Sequence, residues 1–140
     1  LSVTEDEMLG IGGENAEGFY SSMKYFQSLD NANNKKFVEA FKAKYGANAV
    51  IGDVTQAGYL GPWLWKAAVE KAGSFDMDKV VAASVDIELK NAPEGYVKLD
   101  ANHHLWSKSR IAQGLPDGTF KVVSESPQLI KPDPFPKGYQ

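Results

Sequence analysis

Cysteine is absent from the 140 residues. That excludes disulfides, thiolate nucleophiles, thiolate zinc sites and iron–sulfur clusters, and leaves the compartment open. Arginine is nearly absent as well: Arg110 is the single one among fifteen basic residues. Forked recognition of phosphates or base edges is therefore poorly supplied. The net charge of −3 argues further against nucleic acid as a partner. Histidine occurs only as the adjacent pair His103 and His104. No apolar run approaches the roughly 18 residues of a membrane-spanning helix. No basic, hydrophobic, small-residue leader opens the chain. The chain starts without Met on an extended-looking Leu1-Ser2-Val3, which reads as a fragment or a processed product.

What is present suits one compact domain, with or without an appendage. Hydrophobic residues make up 43%, enough for a core. Residues 1–17 carry Glu5, Asp6, Glu7, Glu14 and Glu17 and no Lys or Arg. Thr4 followed by Glu7 fits a capping box at the start of a short helix that Gly10, Gly12 and Gly13 would stop. The acidic cluster reads either as a cation site or, more commonly, as a solvated helix N-terminus. Gly18 to Phe26 is aromatic-rich and roughly alternating, as in a strand. Phe37, Phe41 and Tyr45 recur every four residues and predict a helix closed by Gly46. Ala49-Val50-Ile51 reads as a short buried strand.

A second helix is predicted from about Thr55 to Lys71, ending at Gly73. Tyr59, Trp63 and Ala67 form one stripe and Leu60, Leu64 and Ala68 the next, a width that normally marks core. Pro62 lacks an N–H and should kink the first turn or delay the helix to Gly61. A third helix is predicted from Asp76 to Ser84 with Met77, Val80 and Val81 inward. Gly95 to Leu99 reads as a strand. Ser109 to Gly114 and Thr119 to Ser124 read as a hairpin around Leu115-Pro116-Asp117-Gly118. Pro127, Pro132, Pro134 and Pro136 forbid regular helix and central strand in the tail.

Signals for chemistry are weak. His103 and His104 are neighbours, so on an extended chain they point to opposite sides. A zinc site with Asp100 is rejected for that reason, and the ordinary reading is a turn histidine bonded to backbone. There is no nucleophile elbow and no Walker sequence, and Gly10, Gly12 and Gly13 do not complete a dinucleotide fingerprint. No enzyme activity, cofactor or metal is expected. Tyr59 offers a ring and a hydroxyl near a disturbed helix N-terminus, which suits a small polar ligand. Its ordinary reading is the first core residue of its stripe.

Several phrases in order carry a resemblance: FVEAFKAKYG, AGYLGPWLWKAAVEKAG, NAPEGYVKLDANHHLW, SRIAQGLPDGTFKVV and ESPQLIKPDPF. Together with the opening LSVTEDEMLGIGGENAEGFY, they resemble the C-terminal part of type 1 periplasmic binding proteins. The urea-binding and short-chain-amide-sensing branch is the most similar. The resemblance implies a partial two-lobed α/β fold, with a parallel sheet flanked by helices, crossover strands and a β-hairpin. Residues 1–17 would end the second lobe and cross over, and 18–88 would complete the first lobe. Residues 89–125 would cross back and add strands to the second, with 126–140 as an extended tail. The implied function is the solute-binding component of an ABC transporter, taking urea, a short amide or a related solute to a permease. The implied location is periplasmic or otherwise extracytoplasmic. An amide-sensing regulator acting through a protein partner is the other function the resemblance allows. The positions carried over as ligand-binding are Tyr59 and Thr4, with Gln56 a turn before Tyr59 within reach of the cleft. A piece cut from its leading strands would also be expected to self-associate.

Overall fold

The computed structural model describes residues 3–138, so the extended reading of Leu1-Ser2 lies outside them. The first helix, α1 (Glu5–Ile11), starts as its capping box dictates: the Thr4 N–H donates to Glu7 Oε2 at 2.7 Å. It ends at Gly12, whose φ of 84° disfavours any residue with a Cβ. A single 3₁₀ turn, Gly13–Asn15, leads into β1 (Tyr20–Met23). After a break at 24–31 come α2 (Ala32–Tyr45), α3 (Asp53–Ala72) and α4 (Met77–Ser84). Five short strands follow: β2 (Glu88–Leu89), β3 (Val97–Leu99), β4 (Leu105–Trp106), β5 (Arg110–Gly114) and β6 (Phe120–Glu125).

The strands form two three-stranded sheets, ordered β1-β5-β6 and β2-β3-β4. In the first, Tyr20 faces Gln113 and Met23 faces Arg110, while β5 and β6 form the expected hairpin with a register irregularity at Ile111/Ala112. Asp117 fixes its turn by accepting from the Thr119 N–H and hydroxyl at 2.9 and 2.6 Å. Met8, Ala16, Phe26, Ala112 and Phe120 form the core beneath this sheet. The Phe26 and Phe120 rings lie 5.2 Å apart. Tyr25, Leu29 and Ile51 form a second cluster with Phe37, Val38 and Phe41 of α2. Leu60, Ala92 and Val97 form a third, joining α3 to the β2-β3-β4 sheet.

Parallel pairing, expected with the fold, is not formed among the described residues, where every pairing between named strands is antiparallel. Residues 49–51, read as a strand, have no strand partner there. The Ile51 and Gly52 amides are taken instead by side chains, Gln27 Oε1 at 2.8 Å and Asp6 Oδ2 at 3.0 Å. Ile51 is nonetheless fully buried.

Pro62 does not delay the start of α3; the helix is continuous from Asp53 to Ala72. Gly58, whose carbonyl would receive the missing N–H, is exposed, so water can hydrate that oxygen. Gly73 ends α3 in the left-handed conformation, with its N–H on the Val69 and Glu70 carbonyls. The two stripes of α3 separate. Leu60 and Ala68 are buried, whereas Tyr59 and Trp63 are 43% and 47% exposed. The α4 reading also changes, since Met77 and Val81 face outward and the helix buries none of its residues fully. Asp76 still caps it, accepting from the Lys79 N–H. The tail is irregular as expected, apart from a bridge between Ser107 and Ile130.

Candidate ligand site and the polar seam beside it

The capping helix α1, the break after β1 and the start of α3 converge on one polar contact. Three carboxylates pin backbone amides across it. Glu5 Oε1 accepts from Gln27 N–H at 2.7 Å, Asp6 Oδ2 from Gly52 N–H at 3.0 Å, and Asp53 Oδ1 from Tyr25 N–H at 3.0 Å. Asp6 Oδ2 also accepts from the Thr55 hydroxyl at 2.7 Å. Gly52 is required here, because a Cβ would meet the Asp6 carboxyl and the Thr4 hydroxyl. The acidic cluster of α1 is thus neither a cation site nor a solvated terminus throughout. Among the described residues no group of acids and histidines could hold a metal ion. Only Glu7 keeps the exposed capping role; Glu5 is buried.

On the other side of the same contact, the Lys24 ammonium lies 3.4 Å from Gln56 Oε1 and 3.5 Å from Glu94 Oε1. The Lys24–Glu94 approach is an ion pair without hydrogen-bond geometry, so both buried Glu94 oxygens remain without a hydrogen-bond donor. Burial raises the Glu94 carboxyl above its ordinary range, against the pull of Lys24 and Arg110. Arg110 holds the return strand to this point. Its guanidinium donates to the Lys24 carbonyl, to the Glu94 carbonyl at 3.0 Å and to Glu125 Oε2 at 2.6 Å.

The three candidate residues separate into two settings. Thr4 is 3% exposed and its hydroxyl is occupied, accepting from Asp53 N–H at 3.2 Å and donating to Glu7 Oε2. Gln56 is fully buried, and its Nε2 lacks an acceptor. Both belong to the seam. Tyr59 turns the other way, into a groove of about 730 Å³ between α2 and α3. Its ring packs 4.5 Å from Phe37 and 6.1 Å from Trp63. Thr55, Phe41, Asn33 and Lys36 share the groove. One turn of α3 therefore connects the two settings, with Thr55 and Tyr59 toward the groove and Gln56 and Leu60 toward the interior. Glu94 and Lys24 were not singled out from sequence. The signal available was the spacing of polar residues inside apolar runs, which does not tell a buried pair from a surface one. The His104 ring bonds to the Asn102 carbonyl at 3.0 Å, as a turn histidine does, and His103 Nδ1 meets Ser84 Oγ at 3.2 Å.

The model of the periplasmic binding protein domain matches residues 1–140. Among characterised relatives, the chain is 35% identical over 125 residues to a limonene hydroxylase of Geobacillus stearothermophilus, covering 89% of this chain and 23% of that protein. Among solved structures, a leucine-binding protein of Thermotoga maritima superposes with a TM-score of 0.71 at 27% identity, over 85% of this chain and 33% of its own. An ABC-transporter solute-binding protein of Rhodopseudomonas palustris HaA2, bound to p-hydroxybenzoic acid, gives 0.70 at 26%, over 92% and 35%. Another from strain BisB5, bound to 3,4-dihydroxybenzoic acid, gives 0.77 at 24%, over 91% and 36%, and speaks for the fold alone. The chain spans about a third of the length of these structures and under a quarter of the hydroxylase. The chain belongs to the periplasmic binding protein family and forms part of the type 1 fold.

Proposed function

We propose that this chain is part of the solute-binding component of an ABC transporter, acting outside the cytoplasm and handing a small polar solute to a permease. The observation that carries the reading is the double crossing. β1 and β5 run side by side, and both continue into the helical body at one place, after Met23 and before Arg110. Such a joint lets two bodies close on a ligand between them. On this reading residues 3–23 and 110–125 belong to one lobe. The packing of the β2-β3-β4 sheet on α3 supports reading residues 89–106 with the helices. No helix among the described residues is long and apolar enough to cross a membrane.

Within that class the ligand is urea or a short amide, bound without chemical change. The resemblance of the NAPEG and PDPF phrases supports this, as do the Tyr59 and Thr55 hydroxyls and the Asn33 amide that line the groove beside Lys36. Tyr59 contributes the ligand-facing hydroxyl, whereas Thr4 and Gln56 lie in the buried seam and do not line its groove. A planar ligand carrying both N–H and C=O suits such a set. The hydroxylase match covers too little of that protein for its activity to transfer. Calorimetric titration of the full-length gene product with urea, acetamide, leucine and benzoate tests the reading. Heat with urea or acetamide supports it. Heat with leucine or benzoate alone would keep the transporter class and replace the ligand, and no heat with any would remove both.

A further inference from the structure

Glu5 is the first residue of α1 and 2% exposed. Its Oε1 takes the Gln27 amide, but its Oε2 is fully buried and meets no donor. The ionisable groups that face it are Asp6 on α1, Asp53 at the start of α3, and the Tyr25 phenol on the 24–27 segment. None of these is a cation. The two cations of the seam are committed elsewhere: Lys24 to Gln56 and Glu94, and Arg110 to Glu125 and two carbonyls. A buried carboxylate with one hydrogen bond, one orphaned oxygen and two acidic neighbours is poorly tolerated as an anion.

We propose that Glu5 is a proton-operated latch for the contact between α1, the 24–27 segment and α3. As a neutral acid it lets these elements stay closed, and on ionising it draws in water and releases the Gln27 amide. Desolvation comes first among the causes and outweighs the Glu5 and Gln27 amides, which favour the anion; with the Asp6 and Asp53 charges added, the closed-state carboxyl rises from 4.5 to about 7. Opening returns it to its ordinary value. Closure is therefore strongest below about pH 4.5, weakens as pH rises to about 7, and changes little above that. For this shift the opening equilibrium should rise about fifty-fold between pH 5 and 7.5. The inference does not depend on which solute binds.

The test uses the 140-residue chain. Carboxyl-carbon NMR of Glu5 should give a midpoint near 7. By hydrogen exchange corrected for intrinsic rate, the Gln27 amide should lose protection by tens-fold from pH 5 to 7.5, and should stay less protected than Leu64 in the middle of α3, as local opening requires. In Glu5→Gln the Gln27 amide should become insensitive to pH over that range. A Glu5 midpoint near 4.5 overturns the proposal. So does a Gln27 amide as protected as Leu64 at every pH, or a Gln variant that keeps the pH response. If the variant does not fold, the titration and exchange of the unmodified chain decide alone.

Discussion

Tyr59 combines ring packing against Phe37 and Trp63 with a hydroxyl that has no partner among the described residues. Tyr59→Phe keeps the ring contacts and removes one hydrogen bond, worth roughly 0.5–1.5 kcal/mol to a neutral ligand. Solute affinity of the full-length protein should fall several-fold while the unliganded melting temperature stays put. A calorimetric titration beside a thermal melt measures both. Unchanged affinity would return Tyr59 to a purely structural role. Gly13 makes the opposite prediction. It is buried against the hairpin turn, where an added Cβ would strike the Pro116 carbonyl and the Gly118 amide. Both obstacles are backbone and cannot swing aside. Gly13→Ala should cost about 1–3 kcal/mol or more in urea denaturation, with no direct effect on the α3 groove.

At the scale of elements, α3 carries a proline in its interior and yet stays helical. Pro62→Ala restores an N–H for the Gly58 carbonyl and removes the ring. Since α3 is already continuous and both positions are exposed, stability should rise by about 1–3 kcal/mol. A lower melting temperature for the alanine variant would mean that the proline ring makes a contact worth more than the bond. These elements also mark how far the sequence could be read. Local signals named the ends of α1, α2, α3 and α4 and the β5-β6 hairpin, because caps, glycines and turn residues act on their own neighbours. The faces were less legible. Tyr59 and Leu60 are adjacent apolar residues, and only the position of the β2-β3-β4 sheet decides that Leu60 is covered. Met77 and Val81 were read inward for the same reason, since periodicity identifies an apolar face but not what lies against it. At the candidate site, Tyr59 was visible as an aromatic near a helix start. Glu5 and Glu94 were not, because burying a carboxyl depends on contacts with residues 16 or more positions away.

Two properties belong to the molecule as a whole. The first is the dependence of stability on pH. A carboxyl held at about 7 when folded and near 4.5 when unfolded binds more proton in the folded state. Stability contributed by Glu5 is therefore full below about pH 4.5 and is lost as pH climbs to about 7, by roughly 3 kcal/mol in total. Urea denaturation at pH 5 and 7.5 should show this loss, and the difference between wild type and Glu5→Gln isolates it from Glu94, whose shift has the same sign. The second is association. Trp65 on α3, Phe75 in the turn after it, and Met77 and Val81 on α4 are all exposed apolar residues, Phe75 80% and Met77 75% exposed. Trp65 and Phe75 already pack on each other at 6.0 Å. Exposure of this kind favours self-association of the 140-residue chain. Sedimentation should find species larger than the monomer, and Phe75→Ser with Met77→Ser should shift them back toward it.

The register of β1 on β5 has a topological consequence. Met23 and Arg110 are directly opposed, so the chain leaves a sheet and comes back to it one strand over. Everything between them, three helices and a whole second sheet, occupies the place of a hairpin loop. Joined by a tight turn at that point, β1, β5 and β6 would be an ordinary three-stranded meander. The segment therefore has the grammar of a parenthesis, one unit of structure spoken inside another. Length changes within 24–109 that preserve the two adjoining ends leave the outer sheet's pairing intact. A shift of one residue at either end would instead turn over every side chain of the strand that follows it.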